Sequence, residues 1–168
     1  LLSVLTLDLE TGSLRPDKAA TGLLATGETV YASAQTLYVA TTRWQDRRPL
    51  TDGPGAPTPD GRAMEVTSDI HAFDTTDPRT AEYLGSGTVP GTLLNQWAMS
   101  EHDGHLRVAT TIGSPWDERG RPSESAVTVL EVGNGSAADR PDDGRTPGRD
   151  AGRGGELPLV GQVTGLGV

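Results

Sequence analysis

The chain has no cysteine among its 168 residues. Thiolate chemistry and cysteine metal ligation are therefore excluded, and disulfides say nothing about the redox compartment. Aromatic residues make up only 4%, which reads as loop-rich and β-like rather than helical. No apolar run is long enough to span a bilayer. Positive charge is also short: the net charge is -9, which argues against a nucleic-acid surface, where a basic stripe is needed. What the chain does have is glycine and proline, together about a fifth of it, and many short runs of β-forming residues. No long amphipathic helix is legible. Leu1 to Leu9 lacks the basic start of a signal peptide and carries Asp8 close to Glu10. The chain opens without Met, inside what reads as a strand, and is expected to be a piece of a longer protein.

The stretch from Gly87 to Thr111 reads as an entry turn, a long strand, a hairpin turn and a return strand. Leu93 to His102 runs without a breaker. Asp103-Gly104 then favours a two-residue type I′ turn, in which both central residues take positive φ. His105 to Thr111 returns as HLRVATT, rich in β-formers. That turn fixes the register. His102 faces His105, Ser100 faces Arg107, Met99 faces Val108 and Trp97 faces Thr110. Alternation puts Trp97, Met99, Leu106 and Val108 on one face, with Leu94, Ala98, Ala109 and Thr111 on the other. With both faces half apolar, the hairpin is expected between two sheets.

Further strands are expected at Leu1–Leu9, within Gly22–Ser33, at Thr36–Trp44, Glu65–Thr75, Ala81–Gly87, Ser125–Val132 and Leu157–Val168. Ala34-Gln35 is expected to turn. Two long loops separate them, at 45–64 and 133–156. The first is dense in proline, which forbids a central strand. The second is Gly, Asp, Arg and Pro and is expected to be disordered.

An internal repeat links these pieces. LYVATT at Leu37 to Thr42 matches LRVATT at Leu106 to Thr111. Each leads through a Trp-bearing loop (Trp44, Trp116) to a β-rich strand, DIHAFD or AVTVLE. Each of those leads to YLGSGTVPG or LVGQVTGLG. Four strands per unit at a spacing of about 70 residues point to an all-β fold of antiparallel four-stranded propeller blades, incomplete, with about two to three blades.

The runs GSGTVPGTLLNQWAMSEHDGHLRVATT, TVYASAQTLYVAT and LVGQVTGLG resemble the family of secreted bacterial and archaeal proteins with a C-terminal β-propeller distantly related to WD40 repeats. The resemblance implies a propeller domain over residues 1–168 and a place outside the cell or in its envelope. It carries over no reaction and no catalytic residue. The remaining blades are expected in the parent chain, and any membrane attachment through an anchor outside these residues.

Candidate chemistry is sparse. His102 and His105 flank the hairpin turn with Cβ atoms about 5 Å apart, close enough to share a metal ion. Two ligands leave a coordination sphere unfilled, so no metal and no cofactor is expected. His71 reads as a packed or edge histidine. Asp69, Asp74, Asp77 and Glu82 gather near one strand end without the spacing of a calcium loop. Ser100, Glu101, His102 and Asp103 hold the residue types of a hydrolase triad. Ser100 and His102, however, lie about 6–7 Å apart along one strand, and no nucleophile elbow is present. Asn95, Gln96, Ser100 and Arg107 are polar within strands expected to be buried. They are read as inter-blade hydrogen bonding or, alternatively, as lining that meets a ligand. Trp44 and Trp116 are candidate aromatic contacts for a protein or glycan partner. The expectation is a non-catalytic extracytoplasmic binding or scaffold module. The alternative is an enzyme whose site lies in a central channel completed by further blades.

Overall fold

The computed structural model describes residues 2–6, 21–23, 27–45, 65–113, 123–132 and 155–167. The first strands are β1 (Leu2–Val4) and β2 (Thr21–Leu23), an antiparallel pair. Four strands follow as a meander: β3 (Thr29–Ala32), β4 (Thr36–Gln45), β5 (Glu65–Asp74) and β6 (Glu82–Pro90). A second antiparallel sheet holds β7 (Met99–His102), β8 (His105–Ile112), β9 (Glu124–Glu131) and β11 (Leu159–Leu166). Between its third and fourth strands the chain adds β10 (Gly155–Glu156) to the edge of β6, running parallel to it.

The repeat seen in the sequence is therefore a repeat of sheets. It extends to a detail. On β6 one extra residue, Leu84, separates the partners of Ala72 and Phe73. On β11 one extra residue, Val160, separates the partners of Val129 and Leu130. Both are β-bulges, and both are followed by a glycine, Gly85 or Gly161.

The hairpin turn forms as its sequence dictates. Asp103 and Gly104 take φ of 50° and 69°, and the four pairs from Met99↔Val108 to His102↔His105 are in place. The turn between β3 and β4 is closed by Ser33, whose amide donates to the Thr36 carbonyl and whose Oγ accepts the Thr36 amide.

Several expectations are corrected. The strand before the hairpin is short. Gln96–Ala98 forms a 3-10 turn, so Trp97 does not face Thr110. Asn95 causes the break: its Oδ1 accepts the Trp97 amide at 2.9 Å, a local bond that competes with the ladder. A single bridge, Thr92↔Thr111, replaces the missing pairs. The hairpin is also not sandwiched: Met99, Leu106 and Val108 are buried, whereas Arg107, Ala109 and Thr111 are exposed. Gln45 ends β4 rather than opening a loop, and Gly155–Glu156 form β10 rather than disorder. The rest of both long loops lies outside the described residues.

The core lies between the two four-stranded sheets. Tyr38, Ile70, Ala72 and Val89 of the first meet Met99, Leu106, Val108 and Leu130 of the second, with Leu157 joining from the segment after β10. The first sheet is buried on its opposite face as well, where Phe73 and Val39 are 0% and 2% exposed. Glycines permit the close approach at the edge. A Cβ on Gly87 would come within 2.9 Å of Leu130 Cδ1 and 3.2 Å of Leu157 Cβ. A Cβ on Gly85 would come within 2.8 Å of the Gly155 carbonyl carbon, which is backbone and cannot swing aside. Gly85→Ala is therefore expected to expel β10 and lower stability by about 1–3 kcal/mol. A shift in the denaturant midpoint, with faster amide exchange at Leu157, is the measurement.

Candidate functional site

Among the described residues, three polar clusters and one apolar projection stand on this frame. The first cluster crosses the core. The Tyr38 hydroxyl of β4 donates to Glu101 Oε2 of β7 at 2.8 Å, and the Glu101 amide donates to the Tyr31 hydroxyl of β3 at 3.1 Å. The two tyrosine rings stack with centroids 5.8 Å apart. Burial and the bond to Glu101 push the Tyr38 phenol far above its usual range, so it stays a donor at every working pH.

The second cluster lies on the opposite face of the first sheet. Asp69 is buried in mid-strand, paired with the guanidinium of Arg43 and accepting from Thr88 Oγ1 at 2.8 Å. His71, two residues on, places Nδ1 3.1 Å from the Tyr83 hydroxyl. Burial lowers its pKa, nearby Arg43 lowers it further, and Asp69 opposes both. The expected carboxylate group at a strand end is thus not formed: Asp69 is taken up by Arg43 and Thr88. Asp74 and Asp77 accept the amides of Thr76 and Arg79 within the turn after β5.

The third cluster is the hairpin tip. His105 Nδ1 lies 2.7 Å from the Asp103 carbonyl oxygen. His102 Nε2 lies 3.3 Å from Asp103 Oδ2, so this carboxylate turns toward His102. Both side chains of that pair are largely solvent-exposed. Among the described residues no group of three or more metal-ligating side chains is gathered.

The projection is the segment from Leu94 to Trp97. Leu94 is 88% exposed and Trp97 82% exposed, held by the Asn95-capped turn. Trp44, at 58% exposed, stands near the end of β4. Trp44 pairs with Val66, whose carbonyl accepts the Gly91 amide, so Trp44 and the entry to the turn lie at one end. Thr92, on the way into the turn, bridges Thr111 near the end of β8, and β8 repeats β4. Asn95 and Gln96 are exposed here rather than buried in a strand, as are Ser100 and Arg107. Trp116 lies outside the described residues. Sequence alternation missed Trp97 and Leu94 as surface groups. The signal available was Asn95, a side chain that caps turns more readily than it continues strands.

The repeated four-stranded sheets agree with comparison to known families. The family model for the beta propeller domain matches residues 1–167. The chain belongs to the beta propeller domain family. No curated protein and no solved structure matches it. Within this propeller chain, the two buried clusters serve to join and order sheets.

Two outcomes follow for the buried groups. Tyr38→Phe leaves Glu101 without its donor and is expected to cost about 1–3 kcal/mol in equilibrium unfolding. For His71 the folded pKa is below the unfolded value of about 6.5. Between these values the unfolded chain binds more protons, so stability rises with pH. The His71 contribution is complete above about pH 6.5 and is lost as pH falls toward the lowered folded value. Melting temperatures between pH 7.5 and 5 should fall more steeply for the native chain than for His71→Gln.

Proposed function

We propose that this propeller chain is a non-catalytic binding module, and that its contact surface is the projecting segment Leu94–Trp97 with Trp44 at the same end. The observation that carries the reading is the exposure of Leu94 and Trp97 on a capped turn rooted between two sheets. A large ring with only two side-chain torsions loses little conformational freedom when a partner covers it, and Trp is enriched in binding hot spots. The partner chemistry that fits is an apolar pocket on a protein or the face of a sugar ring. Asn95 is occupied as the cap, while Gln96 is exposed for rim hydrogen bonds. Among the described residues, three groups within the sheets that could serve acid–base chemistry have side-chain partners: Glu101 with Tyr38, Asp69 with Arg43 and Thr88, and His71 with Tyr83. That engagement supports a scaffold over a reaction centre. The proposed place outside the cytoplasm rests on the resemblance to secreted propeller proteins.

The test is a binding screen of the native chain against glycans and cell-envelope proteins, repeated with Trp97→Ala and Leu94→Ala. A cognate partner should bind the Trp97→Ala chain at least about 30-fold more weakly. The melting temperature should not change, because neither side chain is buried. A partner bound equally well by both variants would remove this surface from the reading. A substrate turned over by the native chain would favour an enzyme.

A further inference from the structure

We infer that the outer edge of β11, centred on Gly161, is a docking site for an extended peptide strand that adds in parallel. The occupant is the segment preceding the fourth strand of a further four-stranded unit. The argument rests on the equivalence of β6 and β11, which share the bulge and the glycine that follows it. At Gly85 that edge is filled. Gly155 and Glu156 pair parallel with Gly85 and Ser86, and the Leu157 amide donates to the Ser86 carbonyl at 2.9 Å. A glycine is needed on β6 there because the crossing backbone occupies the place of a Cβ. At Gly161 nothing among the described residues lies within 4 Å of the corresponding point. The strand around it displays Leu159, Val160 and Val163, each more than half exposed. Its backbone edge is unpaired among the described strands, and such edges recruit strands.

The same equivalence defines the occupant. The segment that fills the β6 edge is the lead-in to the fourth strand of the neighbouring sheet. The exposed face of the second sheet repeats the small and aliphatic pattern of the buried one: Ala109 for Ala40, Val127 for Ile70, and Val129 for Ala72. A further sheet stacked there would bring its own lead-in to Gly161. One difference sets specificity. Val163 stands where Gly87 stands, and Gly87 makes room for Leu157. The third residue of the docked segment must therefore be smaller than leucine, and alanine fits.

The experiment titrates the native chain with the blocked peptide Gly-Gly-Glu-Ala-Pro to about 10 mM, following backbone amide resonances. Saturable shifts confined to Gly161, Gln162 and Val163 are expected, with slowed exchange. Gly161→Val should keep its melting temperature, since no described residue fills the site, and lose the shifts. Gly161→Ala serves equally if the valine variant does not fold. Absence of saturable shifts in the native chain would overturn the inference, as would shifts of equal size in a folded Gly161 variant.

Discussion

The apolar layer between the two four-stranded sheets is the constraint on which the described structure depends. A single antiparallel sheet standing alone would leave its apolar face in water. Here Ile70, Val89, Met99, Leu106, Val108 and Leu130 are removed from water only because the sheets face one another. The chain is poor in aromatics, so small and branched residues carry this burial, and they need close approach. Gly87 provides it by letting Leu157 and Leu130 come to its backbone. The Tyr38–Glu101 bond lies in the same layer. It makes the pairing of sheets directional, because a slip would leave a carboxylate and a phenol without partners.

Charge and polarity are arranged around that layer. Buried polar groups are costly alone and acceptable in pairs. Asp69 is accompanied by Arg43 and Thr88, and His71 by Tyr83, so the second face of the first sheet can also be closed. Among the described residues the second sheet has no such cluster on its exposed face. It carries Arg107 in the place of Tyr38, with alanine, valine and threonine around it. The two sheets share a backbone plan and differ in what each face is asked to meet.

The projecting turn follows from the same economy of local bonds. Asn95 captures the Trp97 amide, the ladder ends, and the side chains of Leu94 and Trp97 leave the sheet. Had the strand continued, Trp97 would have fallen on the buried side beside Met99. One side-chain hydrogen bond thus moves a tryptophan from a core position to a surface position.

Much of the architecture was legible in the sequence because it is local. Alternation places β3 to β6, β8, β9 and β11 within a few residues of their bounds. Asp103-Gly104 sets the hairpin register, since positive φ at two successive residues admits few alternatives. The recurrence of LYVATT as LRVATT gives the four-strand unit. What only the tertiary structure decided is which faces are covered and by what. Sequence alternation says that Leu106 and Val108 share a side, but not that Tyr38 reaches across to Glu101, or that Asp69 meets Arg43 26 positions away. It could not foresee β10, because a two-residue parallel strand has no periodicity to read and depends on an edge formed some 70 residues earlier. Nor could it tell the two repeats apart. Nearly identical hexapeptides, LYVATT and LRVATT, are buried on both faces in one sheet and on one face in the other, because burial is a property of neighbours and not of sequence.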